Sequence, residues 1–178
     1  MKIVIVGCGR VGAVLAEAFD GGGHEVIVID VSTRAFDRLS GEFRGQAIRG
    51  DGTDEDTLRR AGAGGADVFL ALTEGDNRNV MAAQVAIENL GIRRVVAKIN
   101  DPVRAAAYAE LGIATVCRTT MLSDAIQSFL GMEASGMPWI IDAVAHDHGP
   151  GEGHAAVGRV VGTPAAGSPA VTTSGRRS

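Results

Sequence analysis

The stretch MKIVIVGCGRVGAVLAEAF (1–19) decides how the chain is read. A β-branched run, IVIV (3–6), enters Gly7-Cys8-Gly9-Arg10-Val11-Gly12 and leaves it through a segment with Val11, Val14, Leu15, Ala18 and Phe19 at helical spacing. This is G-x-G-x-x-G between a strand and a helix, the context in which the motif carries a physical meaning. Gly7 permits the tight turn, Gly9 lets a pyrophosphate approach the backbone, and Gly12 lets helix and strand pack closely. The free N–H groups at the helix start then face anionic groups. Arg10 sits inside this turn, where its charge opposes the helix dipole unless an anion is near.

A second strand, EVIVI (25–29), ends at Asp30, eighteen residues after Gly12. A carboxylate at that place accepts hydrogen bonds from the ribose hydroxyls of an adenosine and repels a 2′-phosphate, so NAD(H) or another adenine nucleotide is favoured over NADP(H). Further apolar runs at VFLAL (68–72) and RVVAKI (94–99) are strands buried on both faces, with QAIRG (46–50) and ATVC (114–117) as weaker candidates. Strands alternating with helical stretches, among them Val80, Ala83, Val85, Ile87 and Leu90, predict a Rossmann-like, doubly wound parallel sheet of about six strands.

A last amphipathic segment, TTMLSDAIQSFLG (119–131), places Leu122, Ala125, Ile126, Phe129 and Leu130 on one stripe, with Thr119 or Thr120 as N-cap and Gly131 as stop. This crossover helix closes a domain over residues 1–131. Its stripe fits either its own sheet or a second subunit. The remainder, 132–178, reads as a poorly structured tail: from Gly149 onward it is rich in Gly, Pro, Ala, Ser and Thr. Trp139, Ile140 and Ile141 form a possible short strand with no evident partner.

The chain has 178 residues and a formal charge of −4, with Lys and Arg dispersed, so nucleic acid is not an expected partner. Cys8 and Cys117 lack metal-ligand neighbours and predict two reduced thiols, hence a reducing cytosol. The apolar run after Lys2 is too short for a secretory leader or a membrane span, so a cytoplasmic protein without direct membrane insertion is expected.

Three polar segments follow predicted strands. IRGDGTDEDTLRRAG (48–62) carries Asp51 and Gly52 in a turn before a helix capped by Thr53 or Asp54. LTEGDNRNVMAAQ (72–84) carries Thr73, with Asp76 or Asn77 as a cap and Asn79 in the first turn, and KINDP (98–102) carries Lys98. By position alone, Asp51 is also a plain turn residue, Asn79 a helix-start hydrogen bonder and Lys98 a solvated strand end.

Together GCGRVG, VIVID, RGDGTDEDTLRRAG, LTEGDNRNV, VVAKINDP and LGIATVCRTT resemble, in order and spacing, the RCK (or KTN) nucleotide-binding domain of Trk- and Ktr-type bacterial potassium-uptake regulators. The resemblance covers about residues 1–131. It implies a cytosolic regulatory subunit, a homodimer or larger ring, peripheral to the inner face of the membrane, whose binding of NAD(H) or ATP/ADP controls a membrane potassium transporter subunit. It further implies that Gly7, Gly9, Arg10 and Gly12 hold phosphates, with Val11 between them in the cofactor-binding loop. Asp30 would hold the adenosine ribose, Asp51 and Gly52 would flank the adenine or ribose, and Thr73 and Lys98 would face the inner phosphate or nicotinamide side. Such regulators usually continue into a smaller C-terminal ligand-binding domain, of which 132–178 shows no pattern.

The competing class is a small NAD-dependent oxidoreductase or its detached cofactor domain, and a third is a structural adaptor with an empty pocket. An oxidoreductase needs a general acid or base at the nicotinamide. His24 falls on the far edge of the sheet, and His146, His148 and His154 lie in or beside the tail and fit no closed metal-ligand set. No Ser/His/Asp cluster, H-E-x-x-H or Walker A sequence occurs, so the expectation is a sensor without catalytic or metal-binding residues.

Overall fold

A computed structural model describes residues 1–142. The readings made for His146, His148, His154 and the Gly-rich segment from Gly149 lie outside the described residues. The elements in chain order are β1 (Lys2–Val6), α1 (Arg10–Gly21), β2 (Glu25–Asp30), a 3₁₀ segment (Thr33–Arg38), β3 (Gln46–Arg49), α2 (Glu55–Arg60) and β4 (Val68–Ala71). Then come α3 (Asp76–Gln84), a π-helical extension (Val85–Asn89), β5 (Val95–Ile99), α4 (Pro102–Glu110), β6 (Ala114–Cys117), α5 (Arg118–Phe129) and β7 (Ile140–Ile141).

The seven strands form one sheet in the order β3-β2-β1-β4-β5-β6-β7. The first six are parallel, and β7 pairs antiparallel with β6 through Thr115↔Ile141 and Val116↔Ile140. The expected six-stranded parallel sheet is thus present with an added edge strand, whose partner the sequence left open. Cys117 N–H donates to the Trp139 carbonyl at 2.8 Å and fixes the approach of that strand.

Alternation along each strand divides the core in two, because successive side chains point to opposite faces. Val4, Val6, Ile27, Ile29, Phe69 and Ile99 pack on one face with Leu58 of α2 and Val80, Ala83 and Ala86. Ile3, Ile5, Val26, Val28 and Leu70 pack on the other with Ala13 and Ala16 of α1. Each Val, Ile, Leu or Phe side chain among these, fully buried, contributes about 1.5–3 kcal/mol relative to exposure.

Two helix faces differ from expectation. In α1 the buried residues are Gly12, Ala13, Ala16 and Asp20, while Val11 and Val14 are exposed and Leu15 and Phe19 only partly covered. Close approach of helix and sheet selects small residues, so the contact stripe lies beside the one drawn by the largest side chains. In α5 the buried residues are Thr120 and Asp124, and Leu122, Ile126, Phe129 and Leu130 are exposed. Thr120 is therefore no cap: the N-cap is Cys117, Thr119 lies within the helix, and the Thr120 hydroxyl donates to Cys117 Sγ at 3.4 Å. Asp124 instead secures the returning chain, accepting from the Ser135 backbone N–H at 3.1 Å and its hydroxyl at 2.7 Å.

Sheet order reverses at β1, whose neighbours are β2 and β4. The connections leave in opposite directions there, which opens a crevice at the carboxyl ends of the strands.

Candidate functional site: a basic cleft at the carboxyl edge of the sheet

The crevice is a cleft of about 820 Å³. Gly7 builds its floor: it has φ +103°, a region closed to most L side chains, and a Cβ there would sit 2.8 Å from the Thr73 nitrogen. Its N–H donates to the Ile29 carbonyl at 2.7 Å, pinning the turn to β2. Gly12 lies beneath, where a Cβ would overlap the Gly7 carbonyl oxygen. Gly9 is the opposite case, because a Cβ added to it meets nothing within 4 Å and would project into open space. Gly9 is also the N-cap of α1, with no side-chain cap hydrogen bond and no acidic residue in the first turn. The first N–H groups of this helix thus have no intrahelical acceptor and no capping side chain.

Of the ten site residues expected from sequence, nine line the cleft: Gly7, Gly9, Arg10, Val11, Asp30, Asp51, Gly52, Thr73 and Lys98. Gly12 does not, serving instead the packing just described. Asp30 ties the turn to the end of β2: Oδ2 accepts from Cys8 N–H and Oδ1 from Ser32 N–H, both at 2.8 Å. Each carboxylate oxygen has a second lone pair, so the group can still accept from a ligand hydroxyl. Gly52 is buried against Val6, whose methyl groups a Cβ would overlap.

Asp51 forms an Asx turn, its Oδ1 accepting from Thr53 N–H at 3.0 Å and Thr53 Oγ1 at 2.8 Å. These bonds, the backbone one foremost, hold its carboxyl below the usual carboxylate range. Asp51 is thus both a turn residue and a wall of the cleft. The helix that follows is capped by Asp54, one of the two residues expected, with its carboxylate accepting from Thr57 N–H at 3.0 Å.

Asn79 is a hydrogen bonder, and a fully buried one. Its Oδ1 accepts from the Thr73 N–H at 2.8 Å and hydroxyl at 2.7 Å, and its Nδ2 donates to the carbonyls of Thr73 at 3.0 Å and Lys98 at 2.7 Å. It fastens the ends of β4 and β5 together. The two donors of Thr73 are accordingly engaged inward, which corrects any picture of them as free. Asp76 is not a cap, since Gly75 holds that position for α3. Its Oδ1 accepts from Asn100 N–H at 3.0 Å and Nδ2 at 2.8 Å, linking the start of α3 to the end of β5.

Lys98 is no solvated strand end. Its side chain is 8% exposed, lines the cleft, and stands 3.6 Å from Glu74 Oε1, which belongs to a side chain 82% exposed. Cys8 is buried, and burial foremost, with the Asp30 charge, raises its thiol pKa, so it is a protonated packing group at neutral pH. Both cysteines are free.

Sequence reading missed Ser32, Arg34, Arg38, Glu74, Arg78 and Arg118, which also line the cleft. Ser32, Arg34, Glu74 and Arg118 lie within four residues of a strand's carboxyl end, the signal by which they could have been found, whereas Arg38 and Arg78 lie seven to eight residues beyond one. The lining holds six cations (Arg10, Arg34, Arg38, Arg78, Lys98 and Arg118) against three carboxylates (Asp30, Asp51 and Glu74), in a chain whose net charge is −4. Such a concentration of positive charge in a low-dielectric crevice draws an anion. Among the described residues no group of His, Cys, Asp and Glu is placed to hold a metal ion, and no helix is long and apolar enough to cross a membrane.

The profile of the TrkA-N domain matches residues 3–119. The chain is 48% identical over 124 residues to a Trk system potassium uptake protein TrkA from Streptomyces coelicolor, a match covering 70% of this chain and 56% of that protein. The chain therefore spans about half the length of the curated relative. In fold it is similar to the TrkA-N domain of the inner membrane protein ybaL from Escherichia coli, with TM-score 0.64 and 20% identity over 72% of this chain and 96% of that one. It is likewise similar to the AMP-bound Kef C-terminal domain from Shewanella denitrificans, with TM-score 0.60 and 21% identity over 76% of this chain and 85% of that one. With its glycine turn, parallel sheet and profile match in agreement, the chain belongs to the TrkA-N domain family.

Proposed function

We propose that this chain is a regulatory domain whose cleft binds an adenine nucleotide, NAD(H) or ATP/ADP, and whose ligand state controls a membrane potassium transporter subunit from the cytoplasmic face. The observation that carries the reading is the start of α1: uncapped, without an acidic residue in its first turn, and opening at Gly9 into a cleft lined by six cations. A phosphate group satisfies all three features at once. The residues fit such a ligand: Gly9, Arg10 and Val11 would hold phosphates, Asp30 the adenosine ribose, and Asp51 and Gly52 the adenine side, while Thr73 and Lys98 would border the far end.

A sensor acts by binding two conformations unequally, with no catalyst required. No histidine or tyrosine lines the cleft among the described residues. His24 stands at the amino end of the sheet, 3.4 Å from the Met1 amine. The relative in Streptomyces coelicolor is named for potassium uptake, which supports a transporter subunit as partner. Assembly into a homodimer or larger ring has its support in α5, which turns Leu122, Ile126, Phe129 and Leu130 outward, Phe129 being 89% exposed. The domain boundary near residue 131 belongs to the same proposal.

Thermal denaturation with AMP, ADP, ATP, NADH and NADPH tests the binding. At a hundredfold excess over its dissociation constant a true ligand adds about 2.7 kcal/mol to stability. Asp30→Ala is expected to abolish preference for a dinucleotide without 2′-phosphate; an unchanged NADH-to-NADPH ratio removes Asp30 from its role.

A further inference from the structure

We infer that Glu74 is a built-in substitute for a ligand phosphate: it neutralises Lys98 while the cleft is empty and yields that place to a nucleotide carrying more than one phosphate. The inference rests on the nucleotide-binding reading above and adds the residue that sets the ligand's phosphate number.

The two partners are unequally placed. Lys98 is 8% exposed and held in place, because the buried Asn79 amide grips its backbone carbonyl at 2.7 Å. A cation in that position needs a counter-charge, since an unpaired buried ion is strongly destabilising. Glu74 supplies it poorly. Its side chain is 82% exposed, and the 3.6 Å separation is well beyond the roughly 2.7–2.9 Å of a strong charge-assisted hydrogen bond. Keeping a long, solvated side chain in one posture also costs rotamer entropy. No other carboxylate forms an ion pair with Lys98 among the described residues.

The site of exchange is defined by the sheet. β1, β4 and β5 lie side by side, so the end of β5 is two strand spacings, about 10 Å, from the end of β1 and the glycine turn. A single phosphate held at the turn leaves Lys98 to Glu74, whereas a phosphate chain running across the ends of β4 and β5 meets both. Once displaced, Glu74 returns fully to solvent at small cost. Arg78 and Arg118 line the same cleft and reinforce attraction for the longer chain.

The test is calorimetric titration of the whole chain, Glu74→Gln and Lys98→Met with AMP, ADP, ATP and NADH. Gln keeps the size and exposure of Glu74 and removes the competing charge, and Met keeps the apolar stem of Lys98. Glu74→Gln is expected to tighten ATP and ADP by about 2- to 5-fold, the gain from removing one weak competing ion pair, with AMP changed by less than about 1.5-fold. In the Lys98→Met background the same substitution is expected to bring no gain. If AMP or NADH binds but Glu74→Gln leaves ATP unchanged or weakened, or shifts AMP equally, the role of Glu74 is overturned and nucleotide binding stands. If no nucleotide binds the parent chain, both fall.

Discussion

Helices α1 and α4 both follow a strand of the same parallel sheet, yet they begin in opposite ways. α4 starts on Asp101, whose carboxylate accepts from Val103 N–H at 2.9 Å and Arg104 N–H at 3.4 Å, with Pro102 removing one further donor. The short α2 is capped in the same manner by Asp54. α1 begins on a glycine without any side-chain acceptor. The starts of α3 on Gly75 and of α5 on Cys117 also lack a side-chain cap hydrogen bond, so what sets α1 apart from the capped α2 and α4 is an open start placed where the sheet reverses direction and facing the cleft. That difference distinguishes a scaffold element from a binding element, and it can be attacked from either side.

The largest effect is expected from Gly12→Ala, because the added carbon overlaps the Gly7 carbonyl oxygen and the turn must shift. A loss of about 3 kcal/mol, the upper part of the range for overpacking, should appear in urea denaturation together with lost nucleotide binding. Gly9→Ala is the discriminating partner. With no atom within 4 Å of the new carbon, stability should change by less than about 1 kcal/mol. The nucleotide-induced gain of about 2.7 kcal/mol at hundredfold excess should disappear. Asp101→Ala reverses that pattern, lowering stability by about 1 kcal/mol through loss of the cap while nucleotide affinity stays unchanged.

The smallest effect is on acid stability. Hydrogen bonds from Thr53 to Asp51, hydrogen bonds from Thr57 to Asp54, and the Arg59 hydrogen bond to Glu55 hold these three carboxyls below their ordinary range. A depressed folded-state pKa contributes stability that is present in full above the unfolded value, about 4, and is lost as pH falls through the folded value. Urea midpoints should therefore be level near neutrality and decline below about pH 4. Asp54→Asn should flatten that decline slightly, and a steeper decline in the variant would contradict the assignment.

The parts of the fold written in local pattern were legible in the chain. β1 and β2, apolar and buried on both faces, and the glycine turn between them needed only periodicity and steric reasoning. The faces of α1 and α5 were not, because apolar size is a poor guide to contact when the sheet lies close. Ala13 and Ala16 make the contact in α1, and in α5 the polar Thr120 and Asp124 are covered while the large apolar residues are exposed. Ile140 and Ile141 read as a possible short strand, but the partner of β7 escaped because a two-residue strand has no pattern of its own and exists through β6 and the Asp124–Ser135 bonds. At the cleft, Gly7, Gly9 and Asp30 follow from a motif of fixed spacing. Arg34, Arg78 and Arg118 are distant in sequence and are brought together only by topology. Lys98 was visible as a cation at a strand end, but its burial and its loose tether to Glu74 are tertiary facts.

The most direct measurement of the central claim is amide chemical shifts of the isotopically labelled chain during titration with ATP and with NADH. The account predicts that the amides of Gly9, Arg10, Val11 and Gly12 shift most and saturate together, while those of Val103 and Arg104 at the capped start of α4 stay in place. Saturating nucleotide that leaves Gly9 to Gly12 unmoved, or that moves the α4 start instead, would contradict it.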